Sequence, residues 1–140
     1  MTTDHAAPVT WPTPDPDAAW HRNEDDSAPD PWAHVACVVT WLNTRNGTGE
    51  EETALRLLKI TEEAGEVTRA YLGMTGQNPR KGITHTRDDV ADELCDVILS
   101  AMTALHSFAD APEAVFRTVV QRRAVRLERL LATGTVDGDG

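Results

Sequence analysis

The stretch Glu50–Met74, EEETALRLLKITEEAGEVTRAYLGM, decides the fold. On a helical wheel of about 100° per residue, Leu57, Ile60, Ala64, Val67 and Tyr71 form one apolar stripe, while Leu55 and Leu58 lie on other faces. A helix that is apolar on more than one side is expected to be covered by several neighbours. Glu63 and Glu66 fall in the narrow polar strip between these surfaces, and Lys59 shares it. The strip holds a conflict. Glu62, Glu63 and Glu66 lie within five residues, and like charges at helical spacing repel.

The flanking chain carries the same periodicity. Asp30 as N-cap and Pro31 at the first helical position open PWAHVACVVTWLNTR, in which Val35, Val38, Val39 and Leu42 recur at helical spacing before a stop near NGTG. Glu50, Glu51 and Glu52 suit the positive end of the second helix, and Gly73 suits its C-terminal stop. A Gly-rich loop containing the turn signal Asn78-Pro79 follows. The third helix is predicted from near Thr86, with Asp88 and Asp89 in its first turn, through RDDVADELCDVILSAMTALHSF; APEAVFRTVVQRRAVRLERLLATG forms the fourth. No strand-like alternation and no internal repeat occurs. The expectation is all-α, a four-helix bundle over residues 31–133. It is flanked by a disordered, acidic, Pro-rich tail over 1–30, which holds Trp11 and Trp20, and a polar, disordered end over 134–140.

At 140 residues the chain makes one domain, and its net charge of −10 argues against DNA or RNA as partner. A single nucleotide is not excluded, since a metal ion can carry its phosphates to an acidic site. No apolar run approaches the length of a membrane span and no signal-peptide pattern opens the sequence, so a cytoplasmic protein is expected. Cys37 and Cys95 form no CxxC pair and are expected as reduced, buried thiols.

The third helix repeats the layout of the second. Val90, Leu94, Val97, Ala101 and Leu105 make its main apolar face, Leu99 lies on the other flank, and Asp89, Glu93, Asp96 and Ser100 form a polar stripe between. Each helix thus presents a pair of carboxylates three residues apart, Glu63/Glu66 and Glu93/Asp96, on one face. A connection of about a dozen residues lets the helices pack antiparallel and the four carboxylates converge. Partly buried carboxylates need a counter-charge. Hard divalent cations, Mg²⁺ in particular, prefer such oxygens, and the strips hold no His or Cys for Zn²⁺. A lone acidic pair on a helix is most often a solvated face. Two pairs, each flanked by apolar stripes and separated by a basic loop, weaken that bland reading and leave metal binding and a solvated face both open.

EEAGE (Glu62–Glu66) followed by ELCD (Glu93–Asp96) resembles the EExxE…ExxD signature of MazG-like nucleoside triphosphate pyrophosphatases. These belong to the all-α NTP pyrophosphatase superfamily, which also includes dimeric dUTPases and phosphoribosyl-ATP pyrophosphatase. The resemblance runs from about Trp41 to Phe108 and includes GQNPRKGITHTRDDVADEL; phosphoribosyl-ATP pyrophosphatase is the superfamily alternative, less similar over GQNPRKG. The resemblance implies a MazG fold and Mg²⁺, with Mn²⁺ as a substitute, held by Glu63, Glu66, Glu93 and Asp96. Glu62 then binds metal or polarises the attacking water, completing a catalytic set of five. The implied reaction hydrolyses an NTP or dNTP to the monophosphate and pyrophosphate, a nucleotide-pool housekeeping activity. Lys59, Arg80, Lys81, Arg122 and Arg126 are the candidate cations for phosphate, and the loop holding Arg80 and Lys81 is a candidate cover. Trp41 is the candidate for stacking on a base, with Asn43 to read its edge and His85 as a loop or capping residue. A homodimer or homotetramer is expected from helices apolar on several faces, and the resemblance implies the same. The alternative is a non-catalytic nucleotide- or protein-binding regulatory module of the same fold.

Overall fold

The computed structural model describes residues 30–132; the expectations for the tail before Asp30 and for residues 134–140 lie outside the described residues. Four helices follow in order: α1 Pro31–Asn46, α2 Glu50–Met74, α3 Arg87–Leu105 and α4 Pro112–Ala132. No strand occurs among the described residues.

Local chemistry explains the boundaries. The Asp30 carboxylate accepts from Ala33 N at 2.9 Å with Pro31 behind it, the cap read from the sequence. Helix α3 opens on a reciprocal capping box: Asp89 N donates to Thr86 Oγ1 at 3.2 Å, and Thr86 N donates to Asp89 Oδ2 at 2.7 Å. Those bonds, backbone first, hold the Asp89 carboxyl below its ordinary value. Gly73 is not the stop of α2, which runs on to Met74; the left-handed residue after it is Gly76, at φ 63°. Helix α3 ends at Leu105, short of the predicted Phe108, in a turn closed by Ser107 N on Ala104 O.

Helices α2 and α3 pack antiparallel. Tyr71 and Met74 meet Arg87, Val90 and Leu94 at one end, and Glu52, Arg56 and Lys59 meet Ser100 and Thr103 at the other. Helix α1 lies against α3. Helix α4 makes only slight contact with the other three. Its start is held where Pro112 is buried and the Trp32 and Phe116 rings lie 5.7 Å apart. Within one chain the expected four-helix bundle is therefore three packed helices with a fourth standing largely apart.

Burial runs opposite to simple patterning. Among the described residues the buried hydrophobic core is Val35, Val39, Ala70 and Ala104, whereas sixteen large apolar residues are exposed, including Leu57, Leu58, Leu94, Ile98, Phe116 and Leu131. On α2 the polar strip faces inward: Glu52, Arg56 and Glu63 are buried. The stripe through Leu57 and Tyr71 faces out because α3 is the main neighbour of α2 and covers only one side. Cys37 and Cys95 are free but exposed, not buried as expected, since no described element covers them. No helix is long and apolar enough to cross a membrane, among the described residues.

Candidate metal centre

The inward strip of α2 brings Glu63 and Glu66 toward α3, and the antiparallel return supplies Glu93. One carboxylate oxygen from each lies within 4.8 Å of the others. Glu63 is 6% exposed, and Glu66 and Glu93 are half-buried. Asp96, one turn further along α3, is exposed and is not drawn into this group.

Two cations compensate the crowding. Lys59 Nζ contacts Glu63 Oε1 at 2.7 Å and also pairs with Glu62, and these two partners, Glu62 first, hold its ammonium above its ordinary pKa. Arg69 Nη2 donates to Glu66 Oε1 at 2.6 Å; that bond raises the guanidinium pKa further, with the fields of Glu93 and Glu62 adding to it. Both cations are long side chains, exposed by 51% and 64%, that can swing off the carboxylates into solvent. Three converging carboxylates with no His or Cys in the group form a hard, all-oxygen donor set, which fits Mg²⁺. Glu62, 54% exposed, stands at the rim on Lys59.

A second charged pair lies two turns toward the start of α2. Arg56 Nε donates to Glu52 Oε1 at 3.0 Å, and its Nη2 donates to Asn43 Oδ1 at 2.8 Å. The pair lines a cavity of about 360 Å³ with Val38, Leu42, Leu55, Lys59, Ser100 and Thr103. Lys59 thus belongs to both the cavity and the carboxylate group. The Asn43 oxygen, a candidate for reading a base, is instead occupied by Arg56. Trp41 is 57% exposed, with the Arg45 guanidinium 5.8 Å from its ring centroid.

The remaining candidates separate. Lys81 lines a cleft beside Arg69, whereas Arg80 is exposed with its backbone N on Asn78 Oδ1 at 3.1 Å. His85 sits in the α2–α3 loop, its Nδ1 2.9 Å from Thr84 Oγ1. Arg122 and Arg126 line a groove of α4 with Val125 and Leu130, and α4 does not bring them beside α2 or α3. Sequence reasoning missed Arg69 and the Glu52–Arg56 pair. A signal existed for both: Arg69 follows Glu66 by three residues, and Arg56 follows Glu52 by four.

Among family models, that of the phosphoribosyl-ATP pyrophosphohydrolases matches residues 42–123. This is more than half of the chain and holds every carboxylate of the group. No curated protein and no solved structure matches significantly.

Proposed function

The chain belongs to the phosphoribosyl-ATP pyrophosphohydrolase family, within the all-α NTP pyrophosphatase superfamily, and from that we propose that it is a Mg²⁺-dependent pyrophosphohydrolase of nucleoside triphosphates. The observation that carries this reading is the convergence of Glu63, Glu66 and Glu93 inside the matched span.

Glu63, Glu66 and Glu93 would hold the ion, with Asp96 joining from the next turn of α3. Bound there, Mg²⁺ supplies positive charge to phosphate oxygens and acidifies a water. The chain's own groups do the rest. Glu62, exposed at the rim, takes the proton of the attacking water. The water oxygen bonds to the α-phosphorus, the bond from that phosphorus to the bridging oxygen breaks, and pyrophosphate leaves. Lys59 and Arg69 are the cations placed to stabilise the leaving charge. The nucleoside is proposed to occupy the cavity of Asn46, Glu52 and Arg56, which Lys59 joins to the carboxylates.

Within the superfamily, EEAGE…ELCD favours a MazG-like substrate, an ordinary NTP or dNTP, while the family match favours phosphoribosyl-ATP. Both substrates place the same phosphoanhydride at the carboxylates. A homodimer or homotetramer is proposed from the exposed apolar residues.

The test is pyrophosphate release from a panel of NTPs, dNTPs and phosphoribosyl-ATP in Mg²⁺ or Mn²⁺. Release from at least one is expected, lost in Glu66→Gln and Asp96→Asn with the helical circular dichroism unchanged. Silence across the panel, with nucleotide still raising the Tm, would leave the non-catalytic module in its place.

A further inference from the structure

Helix α4 carries two long faces of different chemistry. Phe116, Val120, Leu127 and Leu131 follow one stripe, and all four are exposed. On the opposite side Arg122, Val125, Arg126 and Arg129 line a groove that Leu130 borders. Arg122 and Arg126, four residues apart, stand one above the other along it. In a chain of net charge −10, α4 holds five of the thirteen Lys and Arg residues and only two glutamates. Arg117 is paired with Glu113 at 2.5 Å, whereas neither Arg122 nor Arg126 forms an ion pair with a carboxylate among the described residues.

The complementary charge lies in residues 1–29, outside the described residues: Asp4, Asp15, Asp17, Glu24, Asp25 and Asp26 against Arg22 alone. This segment joins the fold at Asp30, and Asp30 shares a cavity with Pro112, Glu113 and Arg117 at the start of α4. The acidic segment thus enters the structure at the foot of the helix that carries the basic groove. Along the axis from Pro112, Arg122 and Arg126 lie about 15 and 21 Å away. Counting back from Asp30, Asp26 to Glu24 can reach up to roughly 20 Å, and Trp20 up to roughly 33 Å. The acid run and the indole therefore fall within range of the arginines and of Val125.

We propose that residues 20–29 dock along α4 of their own chain, antiparallel to the helix, with Glu24, Asp25 and Asp26 against Arg122 and Arg126 and the Trp20 indole over Val125. Arginine forks take carboxylates in charge-assisted hydrogen bonds, and an indole lies well on both an apolar floor and a guanidinium plane. The docked segment covers the basic side of α4 and leaves the stripe of Phe116, Val120, Leu127 and Leu131 to a second chain.

The test is fluorine NMR of the full chain labelled with 5-fluorotryptophan, the Trp20 resonance being assigned by its loss in Trp20→Phe. At low salt that resonance is expected away from its position in a synthetic peptide of residues 11–29, and to move onto it at high salt, which screens exposed ion pairs. Arg122 and Arg126 are exposed, so Arg122→Glu with Arg126→Glu is expected to keep the helical circular dichroism and to shift the resonance fully to the peptide position. The milder pair Arg122→Gln with Arg126→Gln should shift it part of the way. Adding Glu24→Arg, Asp25→Arg and Asp26→Arg to the double-Glu chain restores the complementarity and should bring the resonance back, which damage to α4 would not allow. A parent resonance already at the peptide position, or one indifferent to Arg122 and Arg126, overturns the proposal. A shift that disappears on dilution places the segment on another chain and overturns its assignment to its own. A fall in light-scattering mass with the Trp20 resonance unmoved gives the groove to a second copy, and the proposal falls.

Discussion

At Glu63 a buried carboxylate meets the Lys59 ammonium at 2.7 Å, while Glu66 takes the Arg69 guanidinium at 2.6 Å. Any divalent ion entering the group competes with these cations, so their removal moves stability and metal affinity in opposite directions. Lys59→Gln is expected to lower the Tm in chelator, by a destabilisation of about 1 kcal/mol at this exposed cation, and to enlarge the rise that Mg²⁺ produces; differential scanning fluorimetry with and without Mg²⁺ reads both. The Glu52–Arg56 pair is a different case, since both side chains are buried. Arg56→Ala strands Glu52 and is expected to cost about 3 kcal/mol in chemical denaturation. Replacing both residues by Leu should recover most of that loss. Glu63, Glu66 and Glu93 were legible because their spacing puts them on one face whichever way the face turns, whereas Asp96, expected to converge with them, stays outside the group. The pair was not, because a charged strip ordinarily faces water, and only the packing of α2 on α3 shows that this one faces inward. Glu52 was read for its place near the positive end of the helix, and nothing local in the sequence reveals its burial.

Helix ends were the most legible elements. Asp30-Pro31 opened α1 as read, and the acidic first turn of α3 proved to be half of a capping box with Thr86. Gly73 was misassigned because a glycine near a helix end commonly terminates it; here it leaves room for the returning loop. The far end of α3 carries a titration. His106, its C-cap, is held below its ordinary pKa of 6.5 by burial and then by the Arg56 charge. Its Nε2 has no hydrogen-bond partner, and Asp30, Glu113 and Arg117 share its cavity. The unfolded chain therefore takes up the proton at a higher pH than the folded one. The contribution to stability is full above pH 6.5 and is lost as the pH falls below it toward the folded value. Between pH 7 and 5 the Tm of the parent should fall more than that of His106→Gln. Equal slopes would assign the loss to other groups.

At the scale of the molecule, sixteen large apolar residues are exposed among the described residues, which supports the proposed interface between chains. Each Leu or Ile covered there contributes about 1.5–3 kcal/mol. Placing Glu at both Leu58 and Ile98 is expected to shift the light-scattering mass to that of a single chain, with the α2–α3 pair still helical. Association is proposed from the sequence, because α2 is apolar on more than one face; which face turns inward was not legible there, since that depends on how many neighbours the helix has. Helix α4 takes this furthest. Among the described residues it touches the other helices mainly near Pro112 and Phe116, and an isolated helix in water is marginal. Under the proposed association its order is borrowed from a second chain, and its helicity would then depend on concentration. Folding of the α1–α3 portion would then be first order in chain, and completion of α4 second order. On dilution, α4 would fray first while the carboxylates on α2 and α3 remain in place.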